Sequence, residues 1–196
     1  MARKIITADT QQVRRILKHY RSATPATLAA GSTWYAAAQD AAAAIWPERP
    51  DIAAGVIAAL SPRCQWSINL RWATAMVHAA RTGAECPPVH TKTMRRIAWS
   101  IATGEQTPAD ALKGPKIARF YRNILGDENS VTCDVWACIA AEGPTSPSLP
   151  ANGAKGPTGT RYATVEASYV RAAAIAGVTP AVMQAVVWVQ VRGRAA

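Results

Sequence analysis

Residues 112–137 read LKGPKIARFYRNILGDENSVTCDVWA. Proline fits the first turn of a helix and glycine fits the position just past its end, so Pro115 and Gly126 bracket a predicted helix over KIARFYRNIL. Just upstream, Thr107-Pro108 supplies an N-cap and a first-turn proline for a short helix over PADAL. Residues 107–124 therefore read as helix, hairpin, helix, with Gly114 giving the turn its conformational freedom. Asp134 follows between Cys133 and Val135. A carboxylate among apolar neighbours either caps a helix that begins there or does chemistry.

The rest of the chain has the same helical character. Alanine is abundant, alternating β-branched runs are scarce, and Gly/Pro breaks recur along the 196 residues. Helices are predicted after Thr10 (QQVRRILKHYRS), after Ser32 (TWYAAAQDAAAAIW), after Pro50 (DIAAGVIAALS), near Gln65 (WSINLRWATAMVHAART) and from Thr91 (TKTMRRIAWSIAT). One begins at or near Asp134, and two more cover RYATVEASYVRAAAIAG and PAVMQAVVWVQV. The expected class is all-α, one domain over residues 1–196 built from two helical lobes. Residues 142–160, EGPTSPSLPANGAKGPTGT, read as a loop with almost nothing to bury, placed next to the Asp134 helix.

Charge narrows the partners. Lys and Arg number 22 against 12 Asp and Glu, a formal net charge of +10. An excess of that size favours a polyanion. No apolar run reaches the roughly 18 residues of a membrane span, and no secretory signal is read at the start. Cys64, Cys86, Cys133 and Cys138 form no CxxC pair and no metal-ligand spacing, so free thiols without a metal site are expected. These features point to the cytoplasm of a bacterial or phage-infected cell, to a monomer, and to chemistry without a cofactor.

The hairpin and the aspartate suggest a site. A tight turn feeding a helix N-terminus presents backbone N–H groups to phosphate, and Lys113 and Lys116 flank this one. Asp134 comes 18 residues after Lys116. A carboxylate beside a lysine suits a transition state that is cationic at a sugar carbon, where the carboxylate stabilises charge and water or the amine adds. Solvated lysines on an ordinary αα-hairpin, and an aspartate that only caps, are the competing interpretations.

In these segments the chain resembles the helix-hairpin-helix DNA glycosylases of the endonuclease III type. Their hairpin pattern LPGVGRKTA corresponds to LKGPKIA (112–118), and their VDTHV, with its catalytic aspartate, to VTCDVWA (131–137). LSPRCQWSINLRWATAMV (60–77) is similar to the family's LSAQ-type segment, and WVQVRGR (188–194) to the end of its last core helix. The matches run in order over roughly residues 52–194. The first hairpin glycine is Leu112 here, the residues after the aspartate are Val135 and Trp136, and no four-cysteine iron–sulfur loop follows Arg194.

The resemblance implies a two-lobed fold with a basic cleft that binds duplex DNA, flips a modified or damaged base and cleaves its N-glycosidic bond. Asp134 would be the catalytic carboxylate and Lys116 the candidate Schiff-base lysine. Lys113, Gly114, Arg192 and Arg194 would meet the backbone. Arg63 and Gln65 would enter the stack or hold the orphan base. Trp66 would stack on a base or pack at its helix start, Asn69 read a base edge or cap a backbone group, and Trp136 wall the base pocket or lie in the core. Tyr162 and Tyr169, seven apart, are expected to pack, as are Trp34 and Trp188. The alternatives are a phage-type relative that hypermodifies a base without excising it, a non-catalytic DNA-binding hairpin protein, and a basic protein-interaction module.

Overall fold

A computed structural model describes residues 7–154 and 156–193. Every regular element among them is helical. The described residues form two compact units, one comprising residues 7–34, 127–154 and 156–193, the other Tyr35–Gly126.

The first unit contains α1 (Thr10–Arg21), the start of α2 (Pro25–Ile45), α8 (Val135–Glu142), α9 (Gly159–Ala176) and α10 (Pro180–Arg192). Asp9 caps α1 by accepting from the Gln12 N–H at 2.8 Å, and Thr179 caps α10 through the Val182 N–H. α1 packs on α8, α9 and α10, and Ile16, Val165, Tyr169, Met183 and Val187 fill the centre. Each such side chain contributes about 1.5–3 kcal/mol by leaving water. α2 begins at Pro25 rather than after Ser32, with Thr24 accepting from the Thr27 N–H. Gly31 is compatible with that longer helix because it lies against α10, where a Cβ would come within 2.4 Å of Val186 Cα.

The second unit contains the remainder of α2, α3 (Pro50–Leu60), α4 (Trp66–Thr82), α5 (Lys92–Ala102), α6 (Pro108–Ala111) and α7 (Pro115–Ile124). α3 is buried from Ile52 to Leu60 and packs against α4, α5, α6 and α7. Its small residues permit close approach: a Cβ on Gly55 would stand 2.9 Å from two Pro108 carbons. Thr107 caps α6, and Pro108 and Pro115 open α6 and α7, as predicted.

The loop 142–160 buries more than its composition suggested. It forms two short 3-10 turns, Gly143–Thr145 and Pro150–Asn152, and buries Ser146 and Ser148. Arg161 closes the segment by donating two hydrogen bonds of 2.7 Å to Glu142 and one to Ser148, while Ser146 donates to the same carboxylate. Burial alone would raise the Glu142 carboxyl, but these donors outweigh it and hold the group below its ordinary range.

Among the described residues no single helix is long and apolar enough to cross a membrane. The four cysteines are unbridged. Cys133 and Cys138 are buried and Cys64 and Cys86 half-buried.

Candidate functional site

The site is built on the chain entry into α8. Asp134 has extended backbone and is the N-cap, as the sequence allowed. Its Oδ1 accepts from the Ala137 N–H at 2.9 Å, and its Oδ2 accepts from the indole N–H of Trp188 at 3.0 Å. A cap needs only one oxygen. Here donors from α8 and α10 fix both oxygens, while Asp134 itself stays partly exposed.

The segment beneath it is fixed as firmly. The Tyr162 hydroxyl donates to Val131 O at 2.7 Å and accepts from the Cys133 N–H at 3.2 Å, and the Tyr169 hydroxyl donates to Ala137 O at 3.1 Å. The two tyrosines do share one face of α9 and pack in the core, but their hydroxyls also hold the backbone on both sides of Asp134. Burial raises the Cys133 thiol well above its ordinary value and pushes Cys138 up to about 12. Both are neutral, poorly nucleophilic packing groups.

Trp188 connects this carboxylate to two further side chains. Its ring lies 5.4 Å from that of Trp34, tilted by 32°, and the Arg192 guanidinium carbon sits 4.7 Å from its centroid. Trp188 was expected only to fill the core. It is buried, yet its one polar atom is directed at the carboxylate. Trp136 is half-buried on the first turn of α8. Arg194 lies outside the described residues.

The hairpin belongs to the second unit. Leu112 is buried, Lys113 exposed, and Lys116 half-buried in the first turn of α7. No side chain caps that helix. Gly114 corrects an expectation: its φ of −76° is open to any residue, so the turn does not need glycine's conformational freedom. A Cβ there would make only ordinary contact, 3.5 Å from Ile117.

In the turn before α4, Arg63 adopts a left-handed conformation at φ 57°, one of three non-glycine residues with positive φ among those described. Such strain persists only where neighbours enforce it. His90, itself at φ 55°, ties to the residue before Arg63: its Nδ1 accepts from the Thr91 N–H at 2.7 Å, so Nε2 carries the hydrogen and donates to Pro62 O at 2.8 Å. Trp72 packs against the imidazole, its ring 5.2 Å away and tilted by 48°. Arg63 and Gln65 are exposed. Trp66 packs edge-on against Phe120, 6.3 Å away, at the margin of the core.

Of the two roles expected for Asn69, the structure shows the second: it is 2% exposed and its amide donates to Ile57 O at 3.1 Å, satisfying a backbone group in the interior.

The structure thus joins Asp134, Trp188 and Arg192 in one unit and places Arg63, Gln65, Trp66, Lys113, Gly114 and Lys116 in the other. Sequence reasoning missed Trp188, Trp34 and His90. Their contacts span up to 154 residues of chain, and periodicity carries no trace of them. Among the described residues no cluster of three or more His, Cys, Asp or Glu is arranged to hold a metal ion. No curated protein and no solved structure matches the chain. It does match a family profile over residues 2–195, and so belongs to DUF7178, a family of unknown function.

Proposed function

We propose that this protein is a DNA glycosylase-like enzyme with a helix-hairpin-helix architecture, two lobes and a basic cleft, acting on the N-glycosidic bond of a modified or damaged base. The observation that carries the proposal is Asp134: a partly exposed carboxylate at a helix N-terminus with both oxygens fixed by N–H donors, in a chain of net charge +10. A carboxylate fixed in this way is pre-organised to stabilise positive charge at a sugar carbon.

In the proposed reaction the bond between C1′ and the base nitrogen breaks, and the base leaves with the bonding pair and takes up a proton. Water then adds at C1′ and loses a proton. If the Lys116 amine adds instead, the product is a Schiff base between Nζ and the opened sugar. The uncapped α7 N-terminus with Lys113, together with Arg63, Gln65 and Arg192, would engage the backbone and the gap left by the flipped base. Trp66 and Trp136 would border the base.

Two other readings have specific support. The Asp134–Ala137 hydrogen bond is what a cap alone would make, which suits a non-catalytic DNA binder. Val135 and Trp136 beside the carboxylate suit a base-hypermodifying relative.

The test is mass spectrometry of free bases and nucleosides after incubation with duplexes carrying uracil, oxidised, alkylated or 5-substituted pyrimidines. Free base from wild type but not from Asp134→Asn supports a glycosylase. A changed nucleoside with no free base supports hypermodification. No product from any duplex, with tight salt-sensitive binding in both proteins, leaves a binder. Borohydride trapping with Lys116→Ala as control reports the Schiff base.

A further inference from the structure

The geometry points to Trp188 as a positioning residue for the Asp134 carboxylate, with Arg192 strengthening its grip. The inference rests on reading Asp134 as the working carboxylate, and it goes beyond that reading by assigning a role to the C-terminal helix.

Three observations support it. First, the Trp188 indole N–H is the only polar hydrogen on that side chain, and it is spent on Asp134 Oδ2 at 3.0 Å across 54 residues of chain. A buried indole could be satisfied by any carbonyl of its own unit. Second, Asp134 already has the Ala137 N–H for its cap, so the second donor is surplus to holding the helix. With one oxygen bound the carboxylate can still rotate about its Cβ–Cγ bond; with both bound it has one orientation. Third, the ring is itself immobilised. Trp34 packs against it at 5.4 Å, and Arg192 lies 4.7 Å from its centroid. A cation over the ring draws on its π density and makes the N–H a better donor to an anion.

The consequence is a division of labour. The α8 N-terminus supplies one fixed donor, and α10 supplies the other from a distant part of the sequence. The orientation of the carboxylate therefore depends on the packing of α10. Asp134 is the catalytic residue of the proposal, whereas Trp188 meets no reacting atom in it and acts through its hydrogen bond to Asp134.

The experiment replaces Trp188 with β-(3-benzothienyl)alanine, which keeps the bicyclic ring and exchanges the N–H for sulfur. Trp188→Phe is the genetically encoded companion. Each variant is checked by thermal unfolding and then compared with wild type on the duplex that wild type processes, in single-turnover rate and in DNA Kd. The bond itself is read as the Trp188 indole 15N–1H resonance, which is lost in Trp188→Phe and must move in Asp134→Asn.

The expected result for the benzothienyl protein is a rate lower by roughly 10- to 100-fold, the loss of one hydrogen bond to a charged group, with Kd within about twofold. A folded benzothienyl protein with the wild-type rate overturns the inference and leaves the glycosylase reading standing. A fall in affinity that matches the fall in rate makes Trp188 a DNA contact and also overturns it. An indole resonance that ignores Asp134→Asn removes the bond on which the inference depends. If wild type yields no product from any duplex, the reading of Asp134 fails and takes the inference with it.

Discussion

Removing a single oxygen from Tyr162 tests how the Asp134 segment is held. Tyr162→Phe keeps the buried ring and deletes the hydroxyl that donates to Val131 O at 2.7 Å and accepts from the Cys133 N–H at 3.2 Å. All three residues are buried, so water does not readily replace the lost partner. Leaving a buried donor or acceptor unpaired costs about 1–3 kcal/mol each, and partial relaxation of the segment reduces the sum to roughly 2–4 kcal/mol. At about 2–4 °C per kcal/mol for a chain of this size, the midpoint should fall by roughly 4–16 °C. Calorimetry is the assay of choice because two compact units need not unfold in one transition, and only the transition of the first unit should move. Amide exchange at Cys133 should accelerate with it. Tyr169→Phe, which loses one bond of 3.1 Å, should cost less than Tyr162→Phe. A shift under about 1 °C for Tyr162→Phe, with Cys133 still protected, would refute the idea that this hydroxyl fixes the segment.

Other substitutions have equally definite expected outcomes. Gly31→Ala places a Cβ 2.4 Å from backbone and should destabilise the first unit by several kcal/mol in denaturant titration. Gly114→Ala has room and an ordinary φ, so stability should stay within about 0.5 kcal/mol while DNA affinity falls if the turn approaches phosphate closely. The Glu142 carboxyl is held below its ordinary value of 4.5, so its contribution is complete above that pH and is lost as pH falls through the depressed folded value. Glu142→Gln should remove that acid-dependent part and cost about 2–3 kcal/mol near neutrality, read by urea unfolding at several pH values. Arg192→Gln should lower the slope of log affinity against log salt by about 0.9 if Arg192 meets one phosphate.

The sequence by itself determined the helices and most of their limits. Thr107-Pro108, Pro115, Gly126 and Asp134 mark boundaries through local rules, since a missing N–H, a positive φ or a capping oxygen acts within one turn of chain. Burial of Tyr162 and Tyr169 was legible for the same reason, because a spacing of seven repeats one helical face. The sequence pattern starts α2 only after Ser32, because glycine lowers helix propensity and the packing of Gly31 on α10 is not visible along the chain. The loop 142–160 reads as having almost nothing to bury because small polar residues signal solvent on average, and the Glu142–Arg161 pair that encloses them spans 19 residues.

Only the tertiary structure decided what surrounds Asp134. The sequence could offer a cap or a catalytic group. The fold brought in Trp188 from 54 residues away, placed Arg192 over its ring, and sent Asn69 inward to Ile57. Side-chain contacts between helices depend on rotation and crossing of whole elements, which no local pattern encodes. Helix positions are therefore local information, whereas the orientation of one carboxylate is a property of the packed unit.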